Sequence, residues 1–490
     1  MPQALVSPSS ATGAAALSVQ AATMSWPVPG THAPLQAAIE PDSLPPLRVG
    51  LLGLGNVGAG TLAVLRRNQT EIARRLGRHI EVTHVCARNL ARAVALAGPG
   101  VQVLADPLAV VTHPDVDVVV EAIGGTGPVL HWVLQAIASG KHVVTANKAL
   151  LAEHGHQVFA AAQARGTVVA FEGAVAVSIP IIKMLREGLG ANHITAVAGI
   201  VNGTSNFILS AMRTGLSFQA ALQQAQALGY AEADPSFDVN GVDAAHKLTL
   251  LASVAFGMPL RLAQVYTEGI GQLLPADMAC AEALGYRIKL LAQARRHTQG
   301  VELHVYPALV PTTHPLAAVE GSLNGIAVYS DAAGPTLHCG AGAGGEQTAS
   351  AVIADLMDIA RLGHMPPTSP TQRVAMMGFQ PWAMQDLPVL PMAELRTRHF
   401  VRVPVGSNPH ALGVVAATLA QTGVATQSLG WAPVPEAASD ATRAQAGPAS
   451  CVVGLTGLAS DHNMQQALAA IQALRQVNGP VSHLRVAELE

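Results

Sequence analysis

What this sequence has little of is charge and cysteine. Only 12% of its 490 residues are Asp, Glu, Lys or Arg, and 28 basic against 31 acidic residues leave a formal net charge of −3. So balanced a chain has no basic footprint for nucleic acid and no polybasic stretch for anionic lipid, so neither is expected as a partner. The four cysteines, Cys86, Cys280, Cys339 and Cys451, are scattered without a CxxC pair. They read as reduced thiols of a cytoplasmic protein. An apolar run of the roughly 18 residues that a membrane span needs is also missing. The longest candidate, residues 248–260, is shorter, carries Ser253, Gly257 and Pro259, and follows directly on His246-Lys247. That suits a buried helix. Residues 1–44 hold no Lys or Arg, whereas a secretory signal wants a basic start and a transit peptide wants arginines. Rich in Ala, Ser, Pro and Thr, they are expected to form a disordered tail, with Met24 as an alternative start. HExxH, GxSxG and clustered His/Cys ligands are absent as motifs, the 19 histidines being dispersed. This removes the metalloprotease and serine-hydrolase templates.

What is there is apolar: half the residues, enough for large cores. At roughly 100–200 residues per domain, the length allows two to four. Val49-Gly50-Leu51-Leu52 is a short apolar run, as a strand buried on both faces would be. Residues 59–76 carry helical spacing, 80–86 and 116–121 read as strands, 129–138 as helix, 141–145 as strand, 149–164 as helix and 167–171 as strand. This alternation predicts a doubly wound parallel α/β sheet. Beyond Glu172 the rhythm loosens. Residues 181–189 look helical with Ser178 as N-cap and Pro180 just inside the start. Residues 193–200 are strand-like, 244–256 form a long apolar helix, and 301–337 offer several short strands, which together describe an α+β unit. Proline and methionine mark a linker at about 363–395. The last segment reads as a ferredoxin-like βαββαβ unit. No repeat of about 20–50 residues is visible.

The glycine triplet of Gly53-Leu54-Gly55-Asn56-Val57-Gly58 follows a strand and opens a helix. There the glycines permit a tight turn and let backbone N–H groups meet a pyrophosphate, so the segment predicts a Rossmann-type dinucleotide site. The second strand ends Val85-Cys86-Ala87-Arg88 with no acid for a ribose 2′-hydroxyl. Arg88 could pair a 2′-phosphate, which favours NADP(H) over NAD(H), or be a solvated loop residue. Lys148 lies just beyond a buried strand, where ligands of open α/β sheets bind, and could equally be a solvated first-turn lysine. The stretch from Gly229 to Lys247 is the most acidic in the chain, with Glu232, Asp234, Asp238 and Asp243. Asp243 and Lys247 are four apart on one helix face. As a surface pair they would be bland. The helix continues apolar nearly all round, however, and a desolvated lysine can polarise a carbonyl and exchange a proton with its alkoxide. Nearby carboxylates would hold an α-amino group. Gly340-Ala341-Gly342-Ala343-Gly344 is either a second phosphate-facing loop or a tight turn.

Together these segments resemble the homoserine dehydrogenase family, from about Arg48 to Leu362. The resemblance rests on the glycine loop, Thr145-Ala146-Asn147-Lys148, Glu172-Gly173-Ala174-Val175-Ala176-Val177-Ser178-Ile179-Pro180, Val201-Asn202-Gly203-Thr204-Ser205-Asn206-Phe207-Ile208, the Gly229 to Lys247 stretch, and Gly342 to Val352. It implies NAD(P)H-dependent interconversion of aspartate 4-semialdehyde and homoserine, in threonine and methionine biosynthesis. Lys247 would be the general acid/base, Gly229, Glu232, Asp238 and Asp243 would line the substrate pocket, and Lys148 would lie between cofactor and substrate. Gly53, Gly55, Asn56, Val57, Gly58, Arg88 and Gly344 would face the cofactor. A structural sodium would be held by the carboxylate of Glu172 and the carbonyls of Val175, Val177 and Ile179. Ala341 and Gln347 stand where the family usually has prolines. The C-terminal residues resemble an ACT regulatory domain, which in related enzymes binds threonine. Its usual Asp-x-Pro-Gly turn is here Ser407-Asn408-Pro409-His410. Related enzymes are homo-oligomers. The implied division is a tail at 1–44, a cofactor domain at 45–172 completed by about 340–362, a substrate domain at 173–339, a linker at 363–396 and an ACT-like domain at 397–490. Two other readings keep parts of this picture: an oxidoreductase for another amino-acid substrate, and a catalytically silent amino-acid sensor. The complete Lys247 motif and glycine loop speak against silence.

Overall fold

The computed structural model describes residues 44–362, 375–406, 408–433 and 450–489. The expected tail, apart from its last residue, the first part of the expected linker and Ser407 lie outside the described residues.

Strands β1 (Leu47–Leu52), β2 (Ile80–Cys86), β3 (Gln102–Leu104), β4 (Val118–Glu121), β5 (His142–Thr145) and β6 (Val169–Ala170) form a six-stranded sheet in the order β3-β2-β1-β4-β5-β6. Every pairing is parallel, as the alternating pattern predicts. Val49, Leu51, Val118, Val119, Val120, Val143 and Val144 are all buried, because helices cover both faces. The chain reverses direction across the sheet between β1 and β4, and the crevice at such a switch point is where ligands bind. Helix Gly345–Leu362 returns from far along the chain, and its Ala349, Val352, Ile353 and Leu356 join the same core.

Local corrections have local causes. The helix expected over 59–76 is two, Asn56–Arg67 and Gln69–Leu76, because Asn68 leaves helical geometry between them. Helices Leu90–Ala97 and Pro107–Val111 and the three-residue β3 are too short to show a period. Ser178 is not an N-cap: its hydroxyl donates to the Ala341 carbonyl at 2.9 Å. The turn at Ile181–Lys183 is capped instead by Glu172, whose carboxylate accepts from the N–H groups of Ile182 (2.9 Å) and Lys183 (2.8 Å). It continues as a π-helical turn, Met184–Gly188.

The remaining strands are β7 (Ile194–Ile200), β8 (Tyr266–Thr267), β9 (Tyr286–His297), β10 (Gly300–Pro311), β11 (Leu323–Ser330), β12 (Gly334–Ala341), β13 (Arg396–Thr397), β14 (His399–Pro404), β15 (Thr426–Pro433), β16 (Ser450–Thr456), β17 (Ala459–Ser460) and β18 (Ser482–Val486). Ten of them make one mixed sheet, ordered β12-β11-β7-β9-β10-β18-β14-β16-β15 with β8 added beside β10. The short strands expected over 301–337 are long ones. β10 has 12 residues and pairs along its whole length with the unexpected β9. Buried Lys289, Gln293, Glu302 and His304 break the alternation that would have revealed this hairpin. From His399 the chain runs strand, helix, strand, strand, helix, strand, ordered β18-β14-β16-β15 and antiparallel throughout. No helix among the described residues is long and apolar enough to cross a membrane.

The C-terminal strands join the larger sheet through β18, which pairs with β10 over two residues. Arg485 on β18 reinforces that short seam. It is 1% exposed, donates to Asp461 Oδ1 and Glu268 Oε2 at 2.8 Å each, and lies 4.8 Å from the Tyr306 ring centre. A buried carboxylate that loses its only strong partner is left uncompensated. Arg485→Met is therefore expected to destabilise the protein by roughly 3–5 kcal/mol. The double variant with Asp461→Leu should regain part of that in urea unfolding.

Candidate active site

The site forms along the carboxyl ends of β1, β4 and β5. Gly53 leaves β1 at φ 95, a left-handed conformation that a side chain would resist. Gly55 caps helix Asn56–Arg67 with no side chain on the first N–H groups, so these are free to meet an anion. A Cβ on Gly58 would sit 2.0 Å from the Gly53 carbonyl oxygen, so the helix can close on the loop only with glycine there. Gly55 and Asn56 are exposed, and Val57 is half-buried beside them. Against this loop lies the second glycine turn. A Cβ on Gly345 would be 2.7 Å from the Asn56 carbonyl, so the two helix starts converge. Gly344, at φ 135, closes that turn, and its carbonyl accepts from the Thr348 N–H and hydroxyl. Gly340 and Ala341 belong to β12 rather than to the turn. Arg88 stands exposed past the end of β2 with no ion-pair partner among the described residues.

Sequence reasoning missed the acid that organises the next loop. Glu121 ends β4 fully buried and accepts from the N–H groups of Ile123 (2.8 Å) and Gly124 (2.9 Å) and from the Thr145 hydroxyl (2.7 Å). Thr145 in turn accepts from the Asn147 N–H, and the Asn147 amide donates to the Gly125 carbonyl at 2.7 Å. Its own oxygen caps helix Lys148–Arg165 through the Leu150 N–H. An acid ending a run of valines, followed by Gly124-Gly125, was the available signal.

That helix begins with Lys148, where the parallel sheet meets the second unit. Its ammonium is 3.0 Å from Asp243 Oδ1 and 5.9 Å from the Phe237 ring centre. Asp243 and Lys247 lie on helix Val242–Phe256, which is buried nearly all round, and the two residues are 3% and 7% exposed. The surface-pair reading is excluded. Lys247 Nζ donates to Asp243 Oδ2 and to the Val201 carbonyl, both at 2.7 Å. An ammonium has three N–H donors, so one is uncommitted among the described residues. Asn202, also missed, donates from its amide to Asp238 Oδ1 at 2.7 Å and to Asp243 Oδ2 at 2.8 Å.

Burial alone would raise the Asp243 carboxyl, but the ammonium groups of Lys247 and Lys148 outweigh it and hold it below the usual carboxylate range. Burial pushes the Lys247 ammonium below the ordinary lysine range, with Asp243 opposing and Lys148 assisting. Asp238 is pushed up, again chiefly by burial, against the Asn202 hydrogen bond. The cluster thus holds two carboxylates and two amines, with Asp243 and Lys247 buried and Asp238 and Lys148 half-buried.

Not every expected residue joins it. Gly229 (φ 75) and Glu232 lie on an exposed loop held to helix Gly203–Arg213 by the Thr204 hydroxyl on the Tyr230 carbonyl, at 2.6 Å. The Glu232 carboxylate makes no hydrogen bond or ion pair among the described residues. Glu172, Val175, Val177 and Ile179 share one bend below the site, where Val177 (φ 55) is the only described non-glycine residue at positive φ. Burial pushes the Glu172 carboxyl up, and Asp355, which accepts from the Glu172 N–H, is raised by burial and by the Glu172 charge. Dispersed in sequence, His399, Asp461 and His483 meet in the C-terminal unit. There His399 bonds His483 at 2.9 Å and Asp461 bonds Arg485, so the group satisfies itself.

Two family models match the chain: homoserine dehydrogenase over residues 180–357, and the homoserine dehydrogenase NAD binding domain over residues 53–172. A homoserine dehydrogenase from Pseudomonas aeruginosa is 48% identical over 91% of this chain and 99% of its own length. One from Neisseria gonorrhoeae is 46% identical over the same shares. The crystal structure of a homoserine dehydrogenase from Thiobacillus denitrificans superposes with a TM-score of 0.82 at 49% identity, covering 91% of this chain and 99% of that one. The NAD binding domain of that family thereby matches residues 53–172, which begin at the glycine loop. Gly58→Ala should lower nicotinamide-cofactor affinity by at least about tenfold, read by cofactor fluorescence. Unchanged affinity would mean that the loop can shift to take the methyl group.

Proposed function

The chain belongs to the homoserine dehydrogenase family, and on that premise we propose how its residues interconvert L-aspartate 4-semialdehyde and L-homoserine. The observation that carries the reading is the buried Lys247 ammonium, held by Asp243 and the Val201 carbonyl with one N–H to spare. A nicotinamide held at the glycine loop would supply, or in the reverse direction accept, the hydride exchanged at the aldehyde carbon. Lys247 donates its free proton to the carbonyl oxygen as that carbon is reduced, and takes one back from the hydroxyl in the reverse direction. Asp243 fixes the ammonium and, shared with Lys148, keeps positive charge near the oxygen where negative charge develops. Asp238 and Glu232 grip the substrate's α-amino group, Glu232 from a loop whose exposure leaves its carboxylate free for that task. Gly229 gives the loop its turn.

Gly53, Gly55, Asn56, Val57, Gly58 and Gly344 cradle the pyrophosphate, and Arg88 pairs the 2′-phosphate of NADP(H), with NAD(H) the weaker cofactor. The division into a cofactor domain (45–172 with 340–362), a substrate domain (173–339) and a C-terminal domain (397–490) follows from this assignment. A monovalent cation suits the Glu172 bend. The carbonyls of Val175 and Val177 take no hydrogen bond among the described residues, and a cation would offset the charge that Glu172 and Asp355 impose on each other. Four free cysteines fit a cytoplasmic enzyme.

We assign the C-terminal unit as an ACT-like, ferredoxin-like module, on the strength of its βαββαβ order and the β18-β14-β16-β15 arrangement. Its turn differs from the threonine-binding pattern. His410 has φ −87, and the left-handed position is taken earlier, by Gly406 at φ 60. The altered turn favours a role in assembling a homo-oligomer over threonine feedback.

Lys247→Ala is expected to lower kcat for the semialdehyde by roughly 10²–10⁴-fold while the fold persists. Equal turnover by both proteins would remove Lys247 from the proton step. Arg88→Ala should weaken NADPH about tenfold more than NADH, and an equal effect on both would remove Arg88 from the 2′-phosphate.

A further inference from the structure

Asn202 is 5% exposed and lies two residues past β7, where the mixed sheet reaches the site. Its side chain is almost fully committed. Oδ1 accepts from the Ser205 N–H at 2.8 Å and so caps helix Gly203–Arg213. The amide nitrogen has two hydrogens, and they end on two different carboxylates: Asp238 Oδ1 at 2.7 Å and Asp243 Oδ2 at 2.8 Å. The second of these oxygens also takes the Lys247 ammonium, whose other partner is the carbonyl of Val201, the preceding residue. Both committed N–H groups of Lys247 therefore end on atoms that Asn202 holds or adjoins.

Resting on the reading of Lys247 as the proton donor, we infer that Asn202 is a positioning residue that keeps Asp238 and Asp243 ionised side by side and aims Lys247. The physical argument is a charge count. Asp238 faces Asp243, Lys247 and Lys148. Asp243 faces the same two amines, with His246 beside it on its own helix. Glu153, from helix Lys148–Arg165, acts on His246. Two carboxylates stand against two ammonium groups, and the neutral amide bridges the carboxylates without adding charge. Replacing it with a third carboxylate removes both donors and sets three like charges together, two of them at the buried positions 202 and 243. Such a set resists full ionisation, so one carboxyl is expected to hold its proton to higher pH than in the wild type.

The test is the pH dependence of kcat/KM for the semialdehyde in Asn202→Asp. Aspartate caps a helix about as well as asparagine, so the fold should survive. The expected result is an acidic limb moved up by about one unit or more, with activity recovering as pH rises and the retained proton leaves. An unmoved limb, or a fall of equal size at every pH, would overturn the inference, since a purely structural role predicts no proton. Should Asn202→Asp not fold, Asn202→Ser keeps a capping oxygen and a single donor. It is expected to move the limb the same way by less, and an unmoved limb there is equally fatal. Lys247→Ala, assayed alongside, separates the two levels. If it turns over normally, the underlying assignment falls and takes this inference with it. If it is inactive while the Asn202 variants keep the wild-type limb, only the role of Asn202 falls.

Discussion

The structure turns on the cost of burying charge. An isolated carboxylate or ammonium in a closed site costs several kcal/mol, and a pair recovers that only when its geometry is good and its remaining hydrogen-bonding capacity is met. Asp243 and Lys247 meet the condition because three segments distant in the chain converge on them: Val201-Asn202 after β7, Lys148 after β5, and their own helix. No one of these could hold the pair alone. The Asp243–Lys247 cluster is therefore also a contact between the parallel sheet and the mixed sheet, and it exists only when both are folded.

That constraint explains the division of labour. The parallel sheet supplies backbone: a glycine loop with uncapped N–H groups at β1, and at β4 and β5 a network of Glu121, Thr145 and Asn147 that fixes two more turns. It contributes one charged group to the cluster, Lys148. The mixed sheet supplies the dry wall behind Asp238, Asp243 and Lys247, which lowers the effective dielectric and makes their mutual attraction count. On the proposed reading, a site built this way would bind the cofactor through geometry and act on the substrate through electrostatics.

How much of this could be read beforehand follows from what each feature depends on. The parallel sheet was legible because its strands are short, buried on both faces and separated by helices of ordinary length. The burial of Asp243 and Lys247 was legible because Leu248 to Phe256 leaves the helix no polar face. Asn202 and Glu121 were not, since their roles are hydrogen bonds to residues remote in sequence or to loop backbone, and neither leaves a period. Glu172 carries a role that its motif did not suggest. Assigned by resemblance to a cation, its carboxylate is also the cap that Ser178 was expected to be, because a buried carboxylate satisfies two N–H groups where a hydroxyl could satisfy one. The β9–β10 hairpin was hidden by polar residues that are buried rather than exposed.

Those buried polar residues lead to the last connection in the molecule. Arg485 belongs to the C-terminal unit, yet its guanidinium is gripped by Glu268, which lies one residue beyond β8. The same short segment packs on the catalytic side. The Ile270 N–H donates to the Val239 carbonyl at 2.9 Å, and a Cβ on Gly241, the N-cap of the helix that carries Asp243 and Lys247, would sit 3.1 Å from the Thr267 methyl group. A handful of residues thus touches a buried cation of one unit and the turn that opens the Lys247 helix of the other. Packing this dense does not deform gradually. Because Arg485 is held by Asp461 as well as by Glu268, displacing β18 would leave both carboxylates without their guanidinium. The C-terminal unit is thus joined, through packing and hydrogen bonds across residues 266–270, to the turn that opens the helix of Asp243 and Lys247.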